Sequence, residues 1–194
     1  MTANTTTAVS SSPNPSASGQ AVTFTVTVSP CCIATGTVTL FDGAVPLGTG
    51  ALVSSPFSSI ITATFATSNL AAGSHSITAS YGGDTYDNAS TSSVLMQVVM
   101  PNAAITLTSS PNPSVVGQSV SFTATVTPST ATGTVTFFDG STALITNLPV
   151  SGGTATFSVP NLSAGTHSIT ATYNGDANYG GSTSSVLIQV VNAN

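Results

Sequence analysis

The chain has 194 residues, no Lys or Arg, two His and five acidic residues, giving a formal net charge of -5. Charged residues make up 3% of it, against roughly 25% in ordinary soluble domains, so Ser and Thr are the main polar residues left to face water. Without cationic side chains the chain lacks the means to grip nucleic acid, phosphorylated ligands or anionic membranes, and no apolar run approaches the ~20 residues of a membrane helix.

The opening Met1-Thr2-Ala3-Asn4 has neither the basic nor the apolar region of a signal peptide, so the sequence reads as a mature or excised segment. Internal repetition organises the rest. Ser11-Ser12-Pro13-Asn14-Pro15-Ser16 returns as Ser109-Ser110-Pro111-Asn112-Pro113-Ser114, 98 residues later. Gly36-Thr37-Val38-Thr39 returns as Gly133-Thr134-Val135-Thr136, each followed by Phe-Asp-Gly. Ser90-Thr91-Ser92-Ser93-Val94-Leu95 returns as Ser182-Thr183-Ser184-Ser185-Val186-Leu187 at a shorter offset of 92. The offset shrinks because the second copy lacks residues near Cys31-Cys32 and around Val53–Ser58, which marks those places as loops. Two homologous units follow, residues 1–100 and 101–194, joined near Met100-Pro101-Asn102.

Both copies read as all-β. The first opens on an expected strand over Thr5–Ser11, followed by turn residues Pro13, Pro15 and Gly19. Asp42-Gly43, and Asp139-Gly140 in the second copy, are hairpin dipeptides between the third and fourth strands. The last strand of the first copy is expected over Val94–Val99, and the first of the second over Ile105–Ser109. In the second copy Val120, Phe122, Ala124 and Val126 alternate with Ser121, Thr123 and Thr125. Val135 and Phe137, then Ala155, Phe157 and Val159, then His167, Ile169, Ala171 and Tyr173 alternate with hydroxyl residues in the same way. A period of two, apolar inward and hydroxyl outward, is that of half-buried strands, and β-branched Thr suits their wet face. Turns every 8–12 residues and about seven antiparallel strands per copy predict two tandem immunoglobulin-like β-sandwiches. No Cys pair is placed to bridge the sheets, so packing alone must hold each core.

Taken in order, Ser-Ser-Pro-Asn-Pro-Ser (109–114), Gly117-Gln118, Gly133-Thr134-Val135-Thr136-Phe137, Asp139-Gly140, Leu162-Ser163-Ala164-Gly165-Thr166-His167-Ser168-Ile169, Tyr173-Asn174-Gly175-Asp176 and Ser182-Thr183-Ser184 make a pattern. It resembles the bacterial Ig-like domains of group 3, and the first copy carries nearly all of it. The resemblance implies tandem repeat modules of large extracellular or surface proteins, such as adhesins and stalks, and no catalytic residues. The chain departs from such repeats in lacking every basic residue. Lys–Asn cross-links of the kind that reinforce some surface fibres therefore cannot form.

Few side chains invite a chemical role. With strands lettered A to G, His75 and His167 fall at the E–F corner in the inward phase of strand F, where a ring N–H can brace nearby carbonyls. The sequence offers neither His a nucleophile or acid partner. Asp42 and Asp139 are explained by their hairpins, and Asp84, Asp87 and Asp176 lie in the F–G loops. Strand order brings Asp42 and Asp176 to the junction of the copies, which makes them the candidate Ca²⁺ ligands, although calcium takes six to eight oxygens. Cys31 and Cys32, in the B–C loop of the first copy alone, suit a vicinal bridge, free thiols or a bond to another molecule. Tyr81, Tyr86, Tyr173 and Tyr179 lie in or beside the F–G loops, as candidates to stack on a ligand or to pack the loops. Asn4-Thr5-Thr6, Asn88-Ala89-Ser90 and Asn161-Leu162-Ser163 match the N-glycosylation pattern, and the hydroxyl-rich faces are candidates for O-glycosylation.

The expectation is a non-catalytic structural repeat outside the cell, a spacer or fibre segment with neither metal nor cofactor. Its expected partners are neighbouring repeats or further copies of itself. The alternative is an adhesin-type module that recognises carbohydrate or a surface protein through the B–C and F–G loops.

Overall fold

The computed structural model describes residues 2–29, 34–54 and 61–194. The chain divides into two compact units, Met1–Met100 and Pro101–Asn194. Among the described residues all regular structure is β, and no helix is long and apolar enough to cross a membrane.

The first unit runs β1 (Thr6–Ser12), β2 (Ser16–Ala17), β3 (Val22–Ser29), β4 (Thr37–Asp42), β5 (Val45–Ala51), β6 (Val53–Ser54), β7 (Ile61–Thr67), β8 (Gly73–Tyr81), β9 (Ser90–Thr91) and β10 (Leu95–Met100). One sheet has the order β1-β3-β7-β6; the other has β2-β10-β8-β4-β5, with β9 beside β8. The second unit repeats the plan with β11 (Ala104–Ser110), β12 (Ser114–Val115), β13 (Val120–Thr127), β14 (Thr134–Asp139), β15 (Thr142–Pro149), β16 (Thr154–Val159), β17 (Gly165–Tyr173), β18 (Ser182–Thr183) and β19 (Leu187–Asn192). Its sheets are β11-β13-β16 and β12-β19-β17-β14-β15, with β18 beside β17. Strands B, C, E, F and G are thus β3, β4, β7, β8 and β10 in the first unit and β13, β14, β16, β17 and β19 in the second.

One feature, present in both units, departs from a plain set of seven antiparallel strands. The N-terminal strand is split: β1 pairs antiparallel with β3, while β2 has crossed to the other sheet and pairs parallel with β10. The second unit does the same, with β11 on β13 and β12 parallel to β19. The crossing falls at Pro13-Asn14-Pro15 and Pro111-Asn112-Pro113, where proline removes the backbone donors that would continue a ladder. The N-terminal strand therefore closes its own unit.

The alternating pattern places the core. Val22, Phe24, Val26 and Val28 of β3 face Ile77, Ala79 and Tyr81 of β8 and Val38 and Leu40 of β4, all buried. The second core gathers Val120, Phe122, Ala124 and Val126 with Val135, Phe137, Ile169, Ala171 and Tyr173. Phe157 adds ring contacts to Phe122 and Phe137, with centroids 5.6 and 4.7 Å apart. Burial of side chains of this size contributes roughly 1.5–3 kcal/mol each, which is how a sandwich without an inter-sheet disulfide holds.

Candidate functional site

Three polar assemblies recur in each unit, and together they absorb most of the chemistry-bearing side chains. The first ties the B–C loop to the F–G loop. Asp84 Oδ2 accepts the Thr35 N–H at 2.8 Å and its hydroxyl at 2.7 Å, while Oδ1 accepts the N–H groups of Tyr86 and Asp87 at 2.8 and 2.9 Å. Asp176 repeats this with Thr132 (2.7 and 2.9 Å), Asn178 (2.7 Å) and Tyr179 (2.8 Å). Four donors saturate each carboxylate. At Asp84 the Thr35 hydroxyl and the surrounding N–H groups hold the carboxyl well below the usual range. At Asp176 burial pushes the other way, and the bonds from Thr132, Asn178 and Tyr179 outweigh it. The loops approach so closely that glycine is required between them: a Cβ on Gly133, at φ +84°, would collide with the Gly175 carbonyl oxygen.

The second assembly lies at the E–F corner. His75 Nδ1 is 2.6 Å from Asp42 Oδ2, and Nε2 is 2.8 Å from the Ala71 carbonyl oxygen. His167 meets Asp139 at 2.6 Å and the Ser163 carbonyl at 3.0 Å. The Asp partner is what sequence reasoning missed. It was recoverable, because the hairpin Asp and the lone His recur together in both copies, and β4 pairs with β8 so that Asp42 lies opposite Ile77, two residues from His75. Both ring nitrogens face acceptors, an arrangement that suits the imidazolium, in which neither nitrogen has a lone pair to activate a nucleophile.

The third assembly bridges the first and last strands. Gln97 is fully buried, and its Nε2 donates to the Pro13 carbonyl, Ser16 Oγ and the Val98 carbonyl. Gln189 does the same with Pro111, Ser114 and Val190. In the second unit the Ser109 hydroxyl also donates to Gln189 Oε1 at 2.7 Å. Ser11 Oγ and Gln97 Oε1, the equivalent atoms of the first unit, are buried without a hydrogen-bond partner.

The tyrosines sort into two kinds. Tyr81 and Tyr173 are corrected as ligand-stacking candidates, because both are fully buried. They continue the inward phase of strand F, and burial pushes each hydroxyl up to about 12. The Tyr81 hydroxyl donates to the Thr35 carbonyl at 2.9 Å. Tyr179 is half-buried, with its hydroxyl 3.1 Å from Thr130 Oγ1. Tyr86 is 72% exposed on the F–G loop.

The candidate Ca²⁺ ligands are each engaged inside their own unit, Asp42 by His75 and Asp176 by Thr132. Among the described residues no group of three or more His, Cys, Asp or Glu could hold a metal ion. Cys31 and Cys32 lie outside the described residues. Of the glycosylation-pattern residues, Asn4 and Asn88 bond to each other (Asn88 Nδ2 to Asn4 Oδ1, 3.0 Å), while Asn161 is exposed.

The sequence profile of the bacterial Ig-like domain (group 3) family matches residues 9–100 and 107–192. No curated protein matches the chain. Among solved structures, the chain is similar to the fibronectin(III)-like modules of Clostridium thermocellum CbhA, at 16% identity and a TM-score of 0.49, covering 95% of this chain and 94% of that one. It is also similar to the human OSCAR ligand-binding domain, at 20% identity and a TM-score of 0.35, covering 94% and 97%. A titin I-band fragment matches at 13% identity and a TM-score of 0.43, covering 100% of this chain and 66% of that one.

Proposed function

The chain belongs to the bacterial Ig-like domain family of group 3, and on that premise we propose that it is a non-catalytic structural repeat, a spacer or fibre segment of an extracellular or cell-surface protein that associates with further copies of itself. Bacterial Ig-like domains typically occur in such proteins. The observation that carries the reading is at the connection. Met100 still accepts the Ser18 N–H within the first unit, and the next residue, Pro101, already accepts the Gly180 N–H within the second. A connection with no unbonded residue between two closed sandwiches suits a spacer. Self-association is favoured by the sparseness of charge, five carboxylates in 194 residues, since hydroxyl-rich faces can meet with few ions to desolvate.

Sedimentation velocity over a concentration series tests the associating form of the proposal. The expected result is an average mass that climbs above the 19.0 kDa of one chain. A single species of that mass at every concentration would overturn self-association.

The exposed Tyr86 favours a second reading, an adhesin-type module that recognises carbohydrate through its loops. Glycan-array binding that disappears in the Tyr86→Ala and Tyr179→Ala variants would favour it over the spacer.

A further inference from the structure

We propose that the outward side of strand G is the surface through which copies of this chain associate, each unit laying that face against the same face of a unit in a second copy. The inference rests on the self-associating reading above and names the surface it uses. Strand G inverts the pattern of its neighbours. On strands B and F the outward positions hold Ser or Thr, as at Thr23, Thr25 and Thr27 of β3 and Ser74, Ser76 and Thr78 of β8. On strand G and just before it they are apolar: Val94, Met96 and Val98 in the first unit, Val186, Ile188 and Val190 in the second, all 37–58% exposed. The polar residue of the strand, Gln97 or Gln189, points inward and is fully buried. A near-continuous apolar run, Val94-Leu95-Met96 and Val98-Val99-Met100 around Gln97, is the composition of a strand covered on both faces. Each unit by itself covers one.

The face suits a second copy. Met96 and Val98 lie opposite Ser76 and Ser74 of β8, and Ile188 and Val190 opposite Ser168 and Thr166 of β17. An apolar ribbon with a hydroxyl row alongside is self-complementary: with a two-fold axis across the strands, ribbon meets ribbon and hydroxyl row meets hydroxyl row. Residues 94–100 and 186–192 carry no charge, so a charged partner would lose water there with no ion in return. Four long strands carry each face, β10, β8, β4 and β5 or β19, β17, β14 and β15. At about 4.8 Å between strands and about 3.3 Å per residue, such a face covers roughly 400 Å². One face on its twin buries roughly 800 Å², short of the ~1,000 Å² of a specific interface, whereas the two faces of each chain together reach roughly 1,600 Å², its standard size. A single contact is therefore weak, and the second unit of each chain supplies what it lacks. In the second unit Val115 of β12, 43% exposed beside Asn192 of β19, widens the apolar face.

Thr at the exposed positions restores the pattern of strands B and F and keeps β-branching where Val and Ile had it. The experiment is sedimentation velocity of the full chain over a concentration series. It compares wild type with Met96→Thr/Val98→Thr, with Ile188→Thr/Val190→Thr and with all four substitutions together, each variant checked by thermal melting. Either pair is expected to raise the concentration of half-association by about tenfold or more. The quadruple variant is expected to stay at the 19.0 kDa of one chain where wild type has risen above it. A quadruple variant that melts as wild type does and associates at the same concentrations would overturn the interface and leave self-association standing. Wild type that is monomeric throughout would overturn both, and its flotation with phosphatidylcholine vesicles would assign the stripe to a lipid surface instead. A second readout needs no variant: wild-type amide shifts on dilution should gather on β10 and β19. Shifts gathered on β3, β7, β13 and β16 would overturn the proposal.

Discussion

His75 sits between two acceptors, the Asp42 carboxylate at Nδ1 and the Ala71 carbonyl at Nε2. That geometry suits the imidazolium, and the Ala71 carbonyl and then the Asp42 carboxylate raise its proton affinity above the ordinary 6.5, against a smaller effect of burial. At His167 the Asp139 carboxylate leads and the Ser163 carbonyl follows. Asp and His thus join the C-strand hairpin to the start of strand F and to the E–F corner, in both copies.

A His whose folded value is raised contributes stability that is fully present below the unfolded value of about 6.5 and is lost as pH rises through the folded value. Melting temperature should therefore fall on the alkaline side of 6.5. Asp42→Asn combined with Asp139→Asn should flatten that fall. Melting curves from pH 6 to 9 check this, and the His ring resonances should titrate above 6.5 in the same samples.

Asp84 and Asp176 act at the opposite end of the pH scale. A carboxyl whose folded value is depressed contributes fully above the unfolded value of about 3.9 and is lost as pH falls through the folded value. Denaturant midpoints should fall below about pH 4. The Asp84→Asn and Asp176→Asn variants should be less stable at pH 7 and show a shallower acid limb, because an amide presents a donor where a carboxylate accepts.

Ser109 and Ser11 occupy the same place in the two copies and differ in their bonds. Ser109→Ala removes the donor to Gln189 Oε1 and leaves a buried oxygen unpaired, a loss of about 2 kcal/mol. Ser11→Ala removes a buried hydroxyl that has no partner, and should cost less than about 0.5 kcal/mol. Denaturant unfolding of the two variants compares them directly.

Much of the fold is legible in the alternation of apolar and hydroxyl residues, which fixes strand phase, and in the repeated motifs, which divide the copies. The phase extends to Tyr81 and Tyr173: each continues the inward series of its strand F, so their burial was readable even though the nearby loop suggests exposure. The polar assemblies are harder to see. Asp42 and His75 lie 33 residues apart and meet only once the β4–β8 register is set. The pairing of Asn14 with the last strand spans 82 and 84 residues and depends on the crossing between sheets. No local spacing encodes either contact.

Glycines at similar φ should respond differently to substitution. Gly133→Ala forces a Cβ into the Gly175 carbonyl and should cost about 3 kcal/mol or more. Gly117, at φ +83°, has nothing within 4 Å of its added Cβ, so Gly117→Ala should cost only the backbone penalty of about 1–2 kcal/mol. Thermal melts of the pair separate close packing from backbone strain.

A spacer built from repeats requires each repeat to be complete in itself, and residues 101–194 expressed alone test this most directly. Their amide correlation spectrum should be well dispersed and should overlay the matching resonances of the full chain, apart from shifts near Pro101–Ala103. A collapsed spectrum, or shifts spread through the second core, would contradict the account.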